Sequence, residues 1–373
     1  MAKILVLGSH AESLVNFRKE MLRDLARENQ VIACVPDANA YVLQQLDSMG
    51  IEYRNIQLAR TGLNPFADLI TIFKLYSILK QLKITVIFSY TSKPVIFGSI
   101  AAKLAGVKQI YSMITGLGSY FIHRDLKSQL VRAIMSVLYK VALSVNTKVF
   151  FQNLDDVADF ASFRIFNDPQ RIVMINGSGV NLDYFVPSPL PAPAVTFLLT
   201  ARFIRAKGVF EYLAAAKNLK QKYPQLEFLL VGWFENKDEA LDQAALQPYI
   251  DAEVIRYLGK LDDVRPALAQ TSVFVLPSYR EGTPKGVLEA MASGRAIITT
   301  DVPGCRETVI DGDNGWLVPA RDVTALCAAM EKFITQPSLI ATMGQRSREI
   351  AVSKYDVKKV NQVILSAMGF NYV

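Results

Sequence analysis

Two glutamates, eight positions apart in the sequence, are the first feature that points to chemistry. Glu281 and Glu289 lie in YREGTPKGVLEAMASGRAII, the first in a turn broken by glycine and proline, the second in the helix that this pattern predicts. We expect Thr283 to be the N-cap and Pro284 the first residue of that helix. Amides at a helix start bind anions, so a phosphate there would have one carboxylate on each side. A nucleoside diphosphate sugar has this layout, with sugar hydroxyls at one end and the ribose diol at the other.

A pair of cations follows the predicted strand VTFLLTA. Arg202 and Lys207 are five residues apart in TARFIRAKGVFEYLAAAKNL, and Gly208 precedes an amphipathic helix. Two cations beside a helix start can neutralise a diphosphate without a metal. Taken alone, the segment is equally consistent with a basic loop on a basic protein.

The turn after the first predicted strand is a weaker candidate. In GSHAESLVNFRKEMLRDLA a small-residue turn runs into a helix, where backbone amides would suit a phosphate or an acceptor. Only Gly8 is a glycine there, and every doubly wound domain turns at this point. His10 is either a contact to the ligand or a solvated turn residue.

Few residues are suited to hold a metal or a disulfide. Two histidines are too few for a histidine-based zinc site, and the three cysteines have no pairing or metal spacing, which favours a reducing compartment. The Asp311–Asp313 run DGD imitates an Asp-x-Asp metal motif, but the following Asn314-Gly315 is typical of a turn. We predict no metal and no other cofactor.

The elements that must position these residues alternate along the whole chain. At 373 residues two domains are expected, and short apolar runs alternate with helical patterns as in parallel α/β layers. The predicted strands are KILVLG, QVIACVP, VIFSY, QIYSMI, KVFFQN and RIVMIN, then VTFLLTA, EFLLVGW, VIRYLG, VFVLPS and AIITT. The proline-rich NLDYFVPSPLPAPAV between the two sets is predicted to be the linker. We therefore expect doubly wound domains at residues 1–185 and 186–354, facing each other across a cleft, with a last helix in 355–373 packing back on the first domain.

The charge of the chain is concentrated in its first half. The net formal charge is +7, and residues 54–148 contain 13 basic and two acidic residues. Two amphipathic segments there, NPFADLITIFKLYSILKQLK and HRDLKSQLVRAIMSVLYKVAL, suit an anionic membrane surface, although they also fit ordinary packing helices. No nucleic-acid motif accompanies the charge. The start MAKILVLGSHAES reads as a buried strand and no apolar run has the length of a membrane span, so we predict a cytoplasmic protein, peripheral at the inner membrane.

Three segments between residues 175 and 319 resemble a known enzyme family. The run Ser278–Pro319 resembles the glutamate–seven–glutamate region of glycosyltransferase family 4, which has the GT-B fold of two Rossmann-like domains. TARFIRAKG resembles the arginine and lysine–glycine segment of that family, and INGSGVNLDYF resembles its domain junction. In the first half, VNFR, ITGLGSYF and FQNLDD resemble the subgroup that acts on undecaprenyl-diphosphate-linked sugars in bacterial surface-polysaccharide and N-glycan assembly.

This resemblance implies a function and a set of roles. It implies transfer of a hexose or N-acetylhexosamine, with N-acetylgalactosamine the first choice, from a UDP-sugar with retention of configuration. Arg202 and Lys207 would stabilise the departing diphosphate, and Glu281 would contact the donor sugar. The implied donor-binding residues are Gly8, Gly232, Gly259, Lys260, Gly282, Thr283, Pro284, Lys285 and Glu289. The acceptor-side candidates are His10, Asn16, Arg18 and His123. Many members of the family have two glycines at this turn. This chain has only Gly8, so the resemblance supports a phosphate contact there less strongly.

Two other functions share this architecture. A sugar-nucleotide epimerase of the same fold would need acid and base residues around the sugar, which the sparse histidines do not favour. A non-catalytic sugar-nucleotide-binding protein at the membrane surface would bind donor without transfer or slow hydrolysis. For a transferase, we expect domain closure to bring the acceptor hydroxyl beside the anomeric carbon. A leaving phosphate oxygen would take its proton.

Overall fold

The protein is described by a computed structural model that covers residues 1–58, 65–116, 125–191, 194–235 and 240–371. The chain forms two compact units. The first contains Met1–Ser178 and Lys358–Val373, and the second contains Gly179–Val357. Each unit has one parallel sheet with helices on both faces, because each crossover between parallel strands must return over a face of the sheet.

The first unit is built on seven strands in the order β3-β2-β1-β4-β5-β6-β7. The strands are β1 (Lys3–Leu7), β2 (Gln30–Val35), β3 (Glu52–Asn55), β4 (Val86–Tyr90), β5 (Gln109–Met113), β6 (Lys148–Phe151) and β7 (Ile172–Met174). The helices are α1 (Glu12–Ala26), α2 (Ala40–Asp47), α3 (Pro65–Gln81), α4 (Ser92–Ala105), α5 (Leu126–Ser144), α6 (Leu154–Ser162) and, at the end of the chain, α13 (Val357–Ala367).

Alternate residues of the central strands bind two helix layers to this sheet. Leu5 and Leu7 of β1 belong to the core that α3, α4, α5 and α6 cover. Ile4 and Val6 belong to the core on the opposite face, which α1, α2 and α13 cover. This alternation follows from the two-residue period of a strand. The first unit is thus a sandwich of three layers.

The second unit has six strands in the order β10-β9-β8-β11-β12-β13. The strands are β8 (Thr196–Arg202), β9 (Glu227–Trp233), β10 (Arg256–Tyr257), β11 (Val273–Leu276), β12 (Ala296–Thr300) and β13 (Gly315–Val318). The helices are α7 (Val209–Lys222), α8 (Gln243–Asp251), α9 (Arg265–Ala269), α10 (Lys285–Ala292), α11 (Val323–Thr335) and α12 (Ser338–Lys354), and a 3₁₀ turn spans Arg205–Lys207.

Two strands differ from the sequence prediction. β3 is a short edge strand of polar sequence, EYRN, which contains no apolar run to mark it. β13 follows the turn that ends at Asn314, and it pairs with β12 so closely that a Cβ on Gly315 would lie 1.9 Å from the Ile297 carbonyl oxygen. These strands occupy one edge of each sheet.

The boundary between the units lies at 178/179 and not at 185/186. Val180 donates to the Tyr355 carbonyl (2.8 Å), and Val357 donates back to Val180 (3.0 Å). These bonds join the two places where the chain crosses between units, inside the segment that resembles a domain junction. The proline-rich run belongs to the second unit, where Arg295 donates to Ser188, so its prediction as the linker was wrong. Within the described residues, no helix is both long enough and apolar enough to cross a bilayer.

Candidate active site

The second sheet has a point where the strand order reverses. β8 has β9 on one side and β11 on the other, so the chain leaves these strands in opposite directions. Ligands of doubly wound sheets bind at the carboxyl ends of the strands at such a point. Arg202 and Lys207 follow β8, and Glu281 follows β11.

Lys207 and Glu281 meet across this reversal point. The ammonium nitrogen lies 2.5 Å from Glu281 Oε1, and the two side chains are 20 % and 11 % exposed. The turn that carries Lys207 is tied to the opposite loop, because the Tyr279 amide donates to the Ala206 carbonyl at 2.9 Å. Two segments more than 70 residues apart in sequence thus place one cation against one carboxylate.

The loop after β12 packs against the backbone of Glu281 and fixes its position. The Glu281 amide donates to the Pro303 carbonyl oxygen at 3.0 Å. At Gly304, where φ is +82°, a Cβ would lie 2.2 Å from the Glu281 carbonyl oxygen. Only glycine combines that backbone conformation with so close an approach. The position of Glu281 therefore depends on a glycine that sequence reasoning did not select.

Arg202 has a carboxylate partner of its own. Its Nη1 donates to Glu235 Oε1 at 3.0 Å, and the two side chains are 29 % and 11 % exposed. Glu235 follows the end of β9, the neighbour of β8. Both predicted phosphate-binding cations are thus held in place by carboxylates.

Glu289 lies on α10, and its side chain is 13 % exposed. Its Oε1 lies 3.3 Å from the Lys285 ammonium, one turn earlier in the helix. Burial raises the pKa of Glu289, and the charge of Lys285 opposes that rise. An ionised carboxylate at this position is a strong acceptor for a hydroxyl pair.

The start of α10 differs from the sequence prediction. Pro284 is the N-cap and the helix begins at Lys285, with no side-chain cap bond. The buried Thr283 hydroxyl has no partner among the described residues. A Cβ on Gly286 would lie 2.8 Å from Thr200 Oγ1, so this glycine lets α10 approach β8 and does not face a ligand.

The two segments predicted to lie beside the base are neighbours. The Gly232 amide donates to the Gly259 carbonyl at 2.9 Å, and the Lys260 ammonium lies 5.4 Å from the centroid of the Trp233 ring. Trp233 is 39 % exposed, which leaves part of its ring available for stacking. A Cβ on Gly232 would lie 1.8 Å from the Ala201 carbonyl oxygen, so this glycine is required by the β8–β9 pair itself.

Sequence reasoning missed a tyrosine and a glutamate beside this site. The Tyr279 hydroxyl donates to Glu211 Oε1 on α7 at 2.6 Å, and the Arg321 guanidinium lies 4.5 Å from its ring centroid. Burial, followed by the hydrogen bond to Glu211, raises the pKa of Tyr279 to about 12. The signal was present in the sequence, because Tyr279 and Glu211 are next to the candidate segments.

The first sheet reverses between β1 and β4, and most of the first-half candidates follow β1. The Gly8 amide donates to the Cys34 carbonyl (3.2 Å), so it is already used in a backbone hydrogen bond. His10 is an exposed turn residue 3.2 Å from Glu12, and Asn16 is exposed on α1. His123 lies outside the described residues.

Arg18 is buried and not on the surface. It is 3 % exposed and donates to the Met113 sulfur (2.7 Å) and the Ser178 hydroxyl (3.2 Å). Its guanidinium lies 5.2 Å from the Tyr90 ring centroid, and burial lowers its pKa to about 10. This environment favours a positioning role over direct acceptor contact.

Hydroxyl groups link the two strand ends at this second reversal point, and the sequence did not reveal them. The Thr91 hydroxyl donates to Ser9 (2.9 Å), and the Ser13 and Tyr90 hydroxyl oxygens are 2.7 Å apart. Thr91 has φ 68° and ψ 159°, a backbone conformation that β-branched residues rarely adopt. Tyr90 and Thr91 lie in the run SYTS, which contains no unusual residue.

The Asp311–Asp313 run forms a turn. Gly312 donates to the Gly315 carbonyl (2.9 Å), and the Asp311 carboxylate accepts from the Leu317 amide (2.9 Å). The Asp313 carboxylate accepts from Arg346 at 2.7 Å. Across the described ranges, no three His, Cys, Asp or Glu side chains are grouped to hold a metal ion.

The two parallel, Rossmann-like units have the GT-B fold, which the structural neighbours of this chain share. Residues 194–336 match the family model "Glycosyl transferases group 1", and residues 3–153 match "Glycosyl transferase 4-like". The chain therefore belongs to glycosyltransferase family 4.

Similar proteins cover nearly the whole chain. It is 30 % identical over 371 residues, 95 % of each protein, to N,N'-diacetylbacillosaminyl-diphospho-undecaprenol alpha-1,3-N-acetylgalactosaminyltransferase of Campylobacter jejuni. It is 25 % identical to UDP-Gal:alpha-D-GlcNAc-diphosphoundecaprenol alpha-1,3-galactosyltransferase of Escherichia coli, covering 83 % of this chain and 80 % of that one. Among solved structures, Anabaena Alr3699/HepE in complex with UDP-glucose superposes with a TM-score of 0.78 at 18 % identity, covering 99 % and 100 % of the two chains.

Proposed function

We propose that this enzyme transfers a sugar, with N-acetylgalactosamine the first choice, from a UDP-sugar to an undecaprenyl-diphosphate-linked saccharide, in the assembly of a bacterial surface polysaccharide or glycan. The observation that carries the proposal is the Lys207–Glu281 pair at the reversal point of the second sheet. The choice of donor and acceptor is supported by the similarity to the Campylobacter jejuni and Escherichia coli transferases.

The proposed chemistry is a transfer with retention of configuration. The bond between the anomeric carbon and the diphosphate oxygen breaks, and the acceptor hydroxyl forms the new bond on the same face of the sugar. The acceptor proton passes to the departing phosphate oxygen, so no side chain has to act as the base. Arg202 and Lys207 stabilise the negative charge that develops on the diphosphate.

The carboxylates hold these cations and recognise the substrate. Glu281 orients the Lys207 ammonium and accepts from a donor sugar hydroxyl, while Glu289 accepts from the ribose diol. Trp233 and Gly259 border the base, with Lys260 over the indole ring. The Thr283 hydroxyl, which has no partner among the described residues, is suited to donate to the donor.

We propose that the transfer needs no metal ion. Arg202 and Lys207 supply the positive charge that a metal gives the leaving group in other transferases, and the Asp311–Asp313 carboxylates are engaged in a turn. We also propose that the enzyme acts as a peripheral protein at the cytoplasmic face of the inner membrane, where a lipid-linked acceptor is present.

The first test is a transfer assay with undecaprenyl-diphosphate-linked mono- and disaccharides. A panel of UDP-sugars is supplied, with and without EDTA, to wild type and to Glu281→Ala. We expect EDTA-resistant transfer from one UDP-sugar and loss of transfer in the variant. A matched control is Glu331→Ala, because Glu331 forms an ion pair of the same 2.5 Å length with Lys222 elsewhere in the second unit.

Three results would contradict parts of the proposal. Full activity of Glu281→Ala would contradict the assignment of the site, and activity lost to EDTA and restored by Mg²⁺ would contradict metal independence. Donor binding without transfer to any acceptor and without slow hydrolysis would favour the non-catalytic binding function.

A further inference from the structure

Two helices of the first unit have rows of apolar side chains on their solvent side. We call these rows the α3 stripe and the α5 stripe, and each member is between 37 % and 84 % exposed. The α3 stripe contains Phe66, Leu69, Ile70, Phe73 and Tyr76, and the α5 stripe contains Leu126, Leu130, Ile134, Val137 and Val141. Steps of three and four residues place each row on one side of its helix.

These stripes are additional to the faces that bury the helices. α3 packs on the core through Leu75 and Leu79, and α5 packs through Tyr139 and Leu143. The outer side of such helices is normally polar. Instead, ten of the 25 exposed large apolar side chains in the described part of the chain lie on these two helices, which have 17 and 19 residues. Contiguous exposed apolar surface of this kind marks a binding surface.

Both stripes lie on the same side of the first unit. α3 and α5 each pack against α4, and all three helices cover one face of the sheet through a shared core. The buried pair Lys93–Asp68, 2.7 Å apart, fixes the first turn of α3 to α4. The stripes are therefore held at a defined position on the outer surface of this helix layer.

The charge around the stripes is almost entirely positive. Residues 54–148 contain 13 basic and two acidic residues, and both acidic side chains have a structural partner. Asp68 pairs with Lys93, and Asp125 caps α5 by accepting from the Ser128 amide at 3.0 Å. Within the described residues, the exposed lysines on or directly after these helices are Lys74, Lys80, Lys83, Lys103, Lys108 and Lys140.

We propose that the α3 and α5 stripes together form a docking surface for an anionic lipid bilayer. An apolar row flanked by lysines fits acyl chains below a layer of negative headgroups. A second copy of this chain would present the same positive charge to this one, so self-association through the stripes is disfavoured. The inference deepens the proposed function and depends on it only for the lipid-linked nature of the acceptor.

The test measures binding of the full-length protein to vesicles by flotation. The vesicles are phosphatidylcholine alone or phosphatidylcholine with phosphatidylglycerol. The variants are Ile70→Glu with Phe73→Glu in α3, Leu130→Glu with Val137→Glu in α5, and all four together. The control is Val363→Glu, because Val363 is 44 % exposed on α13, which covers the opposite face of the same sheet.

We expect wild type and the control to bind the anionic vesicles and to be released by added salt. We expect the four-site variant to bind about tenfold less or weaker still, because each glutamate removes apolar contact and adds repulsion. Circular dichroism and melting temperature should be unchanged, since all these positions are exposed. On a short-chain, water-soluble acceptor the variant should keep wild-type turnover, and it should lose turnover only on acceptor embedded in vesicles.

Two results would overturn the inference. One is vesicle binding by the four-site variant equal to that of wild type. The other is a wild-type dimer that does not bind vesicles and that the stripe variants dissociate, which would make the surface a self-association interface. Vesicle binding by wild type without transfer to either acceptor would contradict the proposed function alone, so the two failures are distinguishable.

Discussion

Lys207 is the residue whose replacement tests the site most directly. Lys207→Ala removes the cation that meets Glu281 and leaves that buried carboxylate without its partner. We expect kcat to fall on the order of 10²-fold or more, because charge developing on the leaving group loses its stabilisation. Arg202→Ala should have a similar effect. Steady-state kinetics on the UDP-sugar that supports transfer measures this.

The matched control for this prediction is Lys222→Ala. Lys222 forms a 2.5 Å ion pair with Glu331 on the surface of the same unit, and it is the last residue of α7, whereas Lys207 lies just before the start of that helix. Its turnover should stay within about twofold of wild type, because exposed pairs contribute little. Unchanged turnover in Lys207→Ala would mean that this lysine does not act on the departing group.

Glu289 predicts a dependence of stability on pH. Its folded pKa is raised, first by burial, so between its ordinary value and the raised value the folded state binds more protons than the unfolded state. The Glu289 contribution to stability is therefore greatest below the ordinary glutamate pKa and is lost as pH rises through the folded pKa. Glu289→Gln, which remains neutral, should gain melting temperature relative to wild type as pH rises through this window.

Thermal unfolding of both proteins from pH 4 to pH 8 measures that difference. Each kcal/mol of stability corresponds to about 2–4 °C in a domain of this size. A difference in melting temperature that is constant with pH would show that burial does not perturb this carboxyl. The same variant should bind donor more weakly, since a neutral amide accepts from a ribose diol less strongly than a carboxylate.

Residue types in the second unit were easier to predict than their pairing. The sequence selected Arg202, Lys207, Glu281 and Glu289 because cations and carboxylates after predicted strands are conspicuous. It did not predict that Lys207 meets Glu281, since that contact joins positions 74 apart in sequence. Arg18 was selected as an acceptor-side candidate, and its burial beside Met113 and Tyr90 was not predicted, because it depends on packing that one sequence does not encode locally.

At the scale of elements, the loop after β12 determines where Glu281 lies. Gly304→Ala would put a Cβ 2.2 Å from the Glu281 carbonyl oxygen at φ +82°, so the two loops must separate. We expect kcat to fall by roughly tenfold or more, since small displacements of a catalytic group are costly. The control is Gly50→Ala, which has φ +68° and nothing within 4 Å of the added Cβ. It has a similar backbone cost and should keep full turnover.

Kinetics and melting temperature of the two glycine variants separate strain from displacement. Both should lose about 1–2 kcal/mol of stability from the left-handed backbone. Equal turnover in both would contradict the view that Gly304 positions Glu281.

The contact between Tyr279 and Glu211 makes a second prediction at this scale. Tyr279→Phe removes the donor to a buried carboxylate, on the two segments that hold Lys207. We expect a loss of about 1–3 kcal/mol of stability, and a lower kcat because the turn carrying Lys207 is less well fixed. Tyr212→Phe is the control, since its hydroxyl donates to the Phe197 and Leu229 carbonyls inside the sheet. It should lose stability but keep its turnover, and equal losses of turnover would exclude a positioning role for Tyr279.

Elements with an apolar run were predictable, and those defined by tertiary contact were not. β3 has the polar sequence EYRN and is a strand only because it pairs with β2. β13 was not predicted, because Gly312 and Asn314 directly before it indicate a turn. The capping of α10 was wrong by one residue because Pro284 can serve as N-cap or first helical residue, and the two differ only in backbone angles.

At the scale of the whole molecule, the chain returns to its first unit at the end. α13 buries Val360, Ile364 and Leu365 against the core that includes Ile4 and Val6 of β1, and Met368, directly after the helix, packs there too; each is at most 3 % exposed. The Tyr111 hydroxyl donates to the Met368 carbonyl at 3.1 Å, and Asn361 donates to Asp24 on α1 at 3.1 Å. The sequence suggested this return from the position of the last helix. The linker, however, was misplaced because the prolines were interpreted as a domain boundary, although they lie inside the second unit.

The last helix should therefore determine the stability of a unit whose strands all lie more than 180 residues before it. Burying four large apolar side chains is worth roughly 6–12 kcal/mol as an upper bound, against about 5–15 kcal/mol for a typical domain. Removing residues 358–373 should unfold the first unit and leave the second folded, because the second unit has its own sheet and core. The milder Ile364→Ala should cost about 2–5 kcal/mol, and its neighbour Val363→Ala, at an exposed position, under about 0.5 kcal/mol.

Hydrogen exchange resolved by peptide distinguishes the units, since protection should fall in β1, β4 and β5 and persist in β8, β9 and β11. Equal loss of protection in both units would show that they unfold as one cooperative body, and unchanged protection in β1 would show that α13 adds little to the core it covers.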